Sequence, residues 1–239
     1  MQVPRIYTPA LLTAGKRLEL DKRAARHIIT VLRLKPGAPL ILFDGRGNSH
    51  QATLAHSSEA VVGQQLDDTT ESPLQIHLIQ AISRGERMDY VIQKAVELGV
   101  HRITPVLSQR CMVKLKGERA EKRLRHWQGI IISACEQCGR NRLPVLSEIT
   151  PLDAALSELE HTLKMVLDPG GQQTLRSLPP QHSRVTLLIG PEGGLADEEI
   201  QQAQRSEFVS LRMGPRILRT ESAAVAALSA LQTLWGDMG

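Results

Sequence analysis

The sequence predicts an α/β protein with a parallel sheet, preceded by a smaller unit of short strands. Three observations carry the prediction. From residue 74 onward, strand-length apolar runs alternate with helix-length amphipathic ones, the pattern that builds a parallel sheet. Val185–Ile189 reads as an apolar run, as expected of a strand buried on both faces. That run and Phe208–Leu211 each enter a Gly-Pro loop that opens a helix, Gly190-Pro-Glu-Gly-Gly194 and Gly214-Pro-Arg216. In open α/β sheets, ligands bind where loops leave the carboxyl ends of strands.

In chain order, Lys16–Leu20 reads as a strand, and Asp21 as the cap of a helix reaching Arg33, with Ala24, Ile28 and Val31 on one stripe. Leu40–Phe43 and Gln51–Ala55 form a hairpin around Asp44-Gly-Arg-Gly-Asn48. Asp67-Asp-Thr-Thr-Glu-Ser-Pro73 lacks apolar residues and reads as a linker. It divides the chain into residues 1–72 and 73–239. Leu74–Ile82 is then a strand, Met88–Leu98 a helix closed by Gly99, and Val100–Leu107 a strand. Glu118–Cys138 is a long helix closed by Gly139. Val145–Ile149 is a strand, Pro151–Leu159 a helix, and Leu163–Leu167 a strand ending at Asp168-Pro-Gly-Gly171. The last helix runs from Thr220, read as its N-cap, to Trp235. Its run of alanines makes it thin enough for close packing.

The net charge of +4 over 239 residues hides an asymmetry. Residues 1–46 carry +6, 47–81 carry −4, 82–142 carry +7 and 143–239 carry −5. Two basic blocks on an otherwise acidic chain point to a polyanion surface. The run at 118–125 mixes signs and reads as a solvated helix face. Three cysteines and a start without an apolar signal core lead us to expect a cytoplasmic protein. No apolar run approaches the ~20 residues of a bilayer span.

The two loops exclude some ligands. Neither a Walker loop nor a G-x-G-x-x-G fingerprint is present. Glu192 lies within the first loop, Asp197, Glu198 and Glu199 crowd the next helix start, and Glu221 opens the last helix. A carboxylate ~4 Å from a phosphate costs roughly 4 kcal/mol at an effective dielectric near 20. A helix end returns up to ~2 kcal/mol. The loops therefore suit a neutral or cationic ligand, although the same acids also complement helix dipoles. Cys135-x-x-Cys138 sits at a helix C-terminus, the wrong end for activating a thiol. With Cys111 it supplies only three thiolates of the four ligands zinc needs. No metal site is expected.

The pattern Leu188-Ile-Gly-Pro-Glu-Gly-Gly194 followed by Met213-Gly-Pro-Arg-Ile-Leu-Arg-Thr-Glu-Ser-Ala223 resembles the ribosomal RNA small subunit methyltransferase E family, of the SPOUT superfamily. Arg5-Ile-Tyr7, His27–Arg33, Leu42–Gly45, Glu97-Leu-Gly99 and Ala134–Arg140 fit it too, so the resemblance spans essentially the whole chain. It implies a PUA-like RNA-binding β-barrel followed by an α/β-knot domain with a trefoil knot. It implies a homodimer that uses S-adenosyl-L-methionine to methylate N3 of a uridine in 16S ribosomal RNA. The cofactor is expected against Leu167, Ile189, Gly190, Glu192, Gly193, Gly194, Leu211, Met213, Gly214, Leu218 and Thr220. RNA is expected against Arg5, Tyr7, Arg23, Arg26, His27, Arg33 and Arg216. Arg219, Glu221 and Arg140 are the candidate catalytic residues, with Glu192 a second candidate base. Two other readings stay open: a non-catalytic RNA-binding assembly factor on the same scaffold, and a nucleotide-dependent α/β enzyme.

Overall fold

A computed structural model describes residues 3–113, 115–157, 162–179 and 182–239. The chain forms two compact units. One is Met1–Glu71 with Ile132–Leu143, and the other is Ser72–Ile131 with Pro144–Gly239.

The first unit holds β1 (Arg5–Tyr7), β2 (Arg17–Glu19), α1 (Lys22–Arg26), β3 (Pro39–Phe43), β4 (Ser49–His56) and β5 (Glu59–Leu66). The strands form one sheet in the order β1-β3-β4-β5-β2, curled into a half-barrel. Only the β1–β3 pair is parallel. Ile6, Leu40, Leu42, Leu54, Ala60 and Val62 alternate inward along these strands and pack on Ala24 and Ile28. Asp21 caps α1, its carboxylate accepting from the Ala24 N–H at 2.7 Å. The helix predicted to reach Arg33 instead widens into a π turn over His27–Val31. Arg33 then takes the left-handed conformation, with φ 52°.

The segment read as a linker has no regular secondary structure, yet Asp68 and Glu71 within it are bound. Asp68 accepts from Ser49, Arg5 and Asn141. Glu71 accepts from Arg140 at 2.7 Å and from the Arg142 N–H at 3.1 Å. These acids answer buried donors, which is why the segment carries them.

The second unit begins with β6 (Gln75–Ala81), α2 (Glu86–Glu97), β7 (Arg102–Leu107) and α3 (Glu118–Cys138). The last turns of α3, from Ile132, count with the first unit. There follow β8 (Val145–Leu146), β9 (Thr150–Pro151), α4 (Leu152–Ser157), β10 (Leu163–Leu167), β11 (Arg184–Ile189), α5 (Asp197–Arg205), β12 (Val209–Leu211) and α6 (Thr220–Trp235). Of the predicted strand Val145–Ile149, only Val145–Leu146 is a strand; β9 lies beyond it, where Pro151 was expected to open a helix. The end of the helix predicted to reach Leu159 lies outside the described residues.

The second sheet is parallel throughout, in the order β12-β10-β11-β6-β7-β8, with β9 also on β7. Ile79, Val106, Val166 and Leu188 pack in one core with Phe208 and Ala203. Two polar side chains fasten helices. Gln232 of α6 accepts from Ser72 Oγ at 2.7 Å and donates to the Leu98 carbonyl at 2.8 Å. Asp89 of α2 accepts from the buried Trp127 indole of α3 at 3.1 Å.

Candidate active site

Strand order decides where the loops meet. Because β12, β10 and β11 are parallel neighbours, the loops that follow them leave one sheet edge side by side. Leu167 pairs in register with Leu211, so those loops also start at one level. They enclose a cavity of about 540 Å³. All eleven residues expected against the cofactor line it: Leu167, Ile189, Gly190, Glu192, Gly193, Gly194, Leu211, Met213, Gly214, Leu218 and Thr220. Arg110, Asp168, Asp197, Arg212 and Arg216 line it as well.

The loops are held by their own backbone. Asp168 N–H donates to the Leu211 carbonyl at 3.0 Å, and Asp168 Oδ1 accepts from the Gly170 N–H at 2.8 Å. Gly194 has φ 70°, which an L side chain rarely adopts. A Cβ on Gly190 would come within 2.9 Å of the Leu195 amide nitrogen. Thr220 is the first residue of α6, and Arg219 occupies the N-cap. The threonine therefore does not cap the helix as the sequence suggested. Its hydroxyl donates to the Gly190 carbonyl at 2.7 Å and accepts from Gln80 Nε2 at 3.0 Å. That chain ties α6, the glycine loop and β6 together.

Carboxylates divide by role. Glu192 Oε1 accepts from the Arg84 N–H at 2.8 Å and from Arg87 Nη1 at 2.9 Å. Burial alone would raise its pKa, but the hydrogen bonds from Arg84 and Arg87 prevail and hold the carboxyl below its ordinary 4.5. A carboxylate so engaged fastens the loop and makes a poor base. Glu199 accepts from the Ala196 N–H at 2.8 Å and the Gln109 N–H at 2.7 Å. Arg110 closes the same side, donating to the Gly193 carbonyl at 3.1 Å. Glu221 differs: Arg87 Nε stands 3.8 Å from its Oε1, and its Oε2 is buried without a hydrogen-bond partner.

Arg219 is exposed and does not line the cavity, whereas exposed Arg216 does. Arg140 belongs to the first unit, where it is 3% exposed and its Nε and Nη2 both bond Glu71 Oε2. A guanidinium so held is turned toward Glu71 and away from open solvent. Three of the residues expected against RNA, Arg5, Tyr7 and Arg23, have partners within the first unit. The Arg5 side chain is 8% exposed, held by Asp68 and Asn141 and lying over the Phe43 ring. Arg23 bonds Glu136 at 3.1 Å and the Tyr7 carbonyl at 3.1 Å, with its guanidinium over the Tyr7 ring. Tyr7 packs on Phe43. Arg26 and Arg33 stay exposed and His27 half-buried.

Sequence reasoning missed Arg84, Arg87, Arg110 and Gln80. The Ser-Arg-Gly-Glu-Arg run after β6 leaves the same sheet edge, and the rule applied to the glycine loops would have found it. Arg110 carries no such signal. Cys135 is fully buried, and burial pushes its thiol up to about 12. Among the described residues, no group of three His, Cys, Asp or Glu could hold a metal, and no helix is long and apolar enough to cross a membrane.

A family model described as an RNA methyltransferase domain matches residues 70–232, and one described as an RNA methyltransferase PUA domain matches residues 20–62. Ribosomal RNA small subunit methyltransferase E of Buchnera aphidicola subsp. Schizaphis graminum is 37% identical over 99% of this chain and 98% of its own length. Its Bacillus subtilis counterpart is 29% identical over 86% of this chain and 85% of its own length. Two solved structures superpose closely. A putative methyltransferase from Legionella pneumophila in complex with SAM has a TM-score of 0.94 and 44% identity, covering 99% of this chain and 100% of that one. Ribosomal RNA small subunit methyltransferase E from Neisseria gonorrhoeae, bound to S-adenosyl methionine, has a TM-score of 0.93 and 41% identity, with both chains fully covered. The α/β unit with three converging glycine loops, the PUA-like unit before it and these whole-length relatives lead to one conclusion: the chain is a methyltransferase and belongs to the ribosomal RNA small subunit methyltransferase E family.

Proposed function

We propose that this enzyme transfers a methyl group from S-adenosyl-L-methionine to N3 of a uridine in 16S ribosomal RNA. The observation that carries the reading is the cavity between the three loops. Its aliphatic wall, Leu167, Ile189, Leu211, Met213 and Leu218, suits an adenosine. Its carboxylates, Asp168, Glu192 and Asp197, suit a cation, and its glycines let backbone groups approach. When bound, the cofactor supplies an electrophilic methyl on a sulfonium.

The protein has three further tasks. It must fix the loops, which the Gln80–Thr220–Gly190 chain and the Arg87–Glu192 pair do. It must accept the uridine imide proton; Glu221, the candidate base, stands beside Arg87 in a hollow with Glu86 and Tyr90 and does not line the loop cavity, so the acceptor is left unassigned. It must hold RNA, for which exposed Arg216 and Arg219 in the second unit and Arg26, His27 and Arg33 in the first remain available. Positioning supplies much of the rate. Family membership supports a trefoil knot, a homodimer and a cytoplasmic location as parts of the same reading.

The test is methylation of small ribosomal subunits from a strain lacking this activity, read by mass spectrometry of digested nucleosides. N3-methyluridine that appears only with enzyme and cofactor is the expected product. Methylation at another atom would replace the N3 assignment.

A further inference from the structure

We propose that Ile217 enters the RNA base stack beside the target uridine and fills the gap left when that uridine turns into the cofactor cavity. This role rests on uridine N3 being the methylated atom. Ile217 is 85% exposed, the most exposed large apolar side chain among the described residues. It lies on the loop between β12 and α6 and lines the cofactor cavity together with Arg216. A side chain that both lines a cavity and meets solvent stands at the mouth.

Single exposed aliphatic side chains are ordinary; this one is distinguished by its place. The loop around it is fastened at both ends. The Arg212 N–H donates to the Gln173 carbonyl at 2.8 Å, and the Ala223 N–H donates to the Arg219 carbonyl at 2.7 Å. Met213 and Leu218 of the same loop are half-buried in the cavity wall. Ile217 is left to solvent between them, and it belongs to neither hydrophobic core. Arg216 and Arg219, on either side of it in the chain, are both exposed.

The chemistry asks for such a group. N3 lies on the pairing edge of uracil, so a paired and stacked uridine cannot present it to a methyl held inside a cavity. The nucleotide has to leave the stack, which costs unstacking energy. Apolar side chains inserted between base steps offset that cost at other nucleic-acid surfaces. An isoleucine suits the task, because it covers a base face without demanding a hydrogen bond. The flanking guanidinium groups suit the phosphates on either side of the displaced nucleotide. Apolar tip and cations therefore fit one occupant, an RNA strand.

The experiment uses full-length protein, S-adenosyl-L-methionine and small ribosomal subunits that lack the modification. Ile217→Ala should lower kcat/KM on subunits roughly tenfold, the low end of what burying one aliphatic side chain contributes. Ile217→Leu should restore most of the loss, and Ile217→Asn, of similar volume but polar, should not. Cofactor affinity, thermal unfolding and oligomeric state should stay at wild-type values in all three. In parallel, Ile217→p-benzoylphenylalanine is irradiated on the subunits, and the cross-linked nucleotide is mapped. It should adjoin the methylated one. Wild-type kcat/KM in Ile217→Ala, or a cross-link remote from the methylated nucleotide, overturns the proposal. Weakened cofactor binding would assign Ile217 to the cofactor wall, and a changed oligomeric state would assign it to a contact between copies; either result also overturns the proposal. Methylation at an atom other than N3 would fell the N3 reading instead, and the cross-link decides the place of Ile217 whichever atom is methylated.

Discussion

At the carboxyl end of the parallel sheet, the cavity is walled by loop backbone and aliphatic side chains. At the amino end, guanidinium, imidazole, hydroxyl and amide groups supply the polar wall of a second hollow. The first arrangement depends on backbone conformation and the second on individual charges. Substitutions that matter at one end should therefore be of a different kind from those that matter at the other. The first unit supplies a reference, because its guanidinium groups at Arg5, Arg23 and Arg140 are already held by carboxylates.

The largest effect should come from that reference. Glu71→Ala removes the carboxylate bonded to the buried Arg140 guanidinium and should cost about 3–5 kcal/mol in denaturant unfolding. A loss under about 1 kcal/mol, the range of exposed pairs, would show that groups other than Glu71 hold the Arg140 charge. Next comes Gly190→Val, whose Cβ meets the Leu195 backbone. It should destabilise by about 1–3 kcal/mol and abolish cofactor binding. Full affinity in this variant would mean that the wall is not built from backbone.

Glu192→Gln removes the charge from the contact with Arg84 and Arg87. Charged hydrogen bonds contribute about 1.5–3 kcal/mol, and the loop's partial exposure puts the expected loss of cofactor affinity near tenfold. The wild-type tether also has a pH signature. Because the folded pKa lies below 4.5, its contribution is complete above that value and fades as pH falls through the lower folded value. Glu192→Gln should lack this step, and an identical acid profile would separate the carboxylate from loop order. Met213→Leu keeps the volume of an aliphatic wall and should cost under ~1.5 kcal/mol. A loss as large as that of Gly190→Val would erase the contrast between the two ends. Arg33→Glu should weaken RNA binding and its salt dependence by a few fold while sparing the cofactor. Unchanged RNA affinity would move the RNA surface away from the π turn.

The carboxyl-end cavity was legible because its signals are local. An apolar strand followed by Gly-Pro specifies both the buried strand and the exposed turn. β10 at Leu163–Leu167 and α3 at Glu118–Cys138 have the bounds their periodicity predicts. Arginine partners were not legible. Arg5 meets Asp68 from 63 positions away and Arg23 meets Glu136 from 113, so sequence shows the charge and hides its neutralisation. The same distance effect hid the partners of Asp68 and Glu71, although the two units do divide within the segment read as a linker. β5 was missed because Gly63, Gln64 and Gln65 interrupt its alternation. The amino-end pocket is set by cross-strand register, which no local pattern encodes.

The most direct measurement is calorimetric titration of S-adenosylmethionine into the wild-type protein and Gly194→Val. Micromolar binding by the wild type, lost in the variant, is the predicted result. Equal affinity in both would remove the glycine loop from the cofactor site and contradict the assignment of the carboxyl-end cavity.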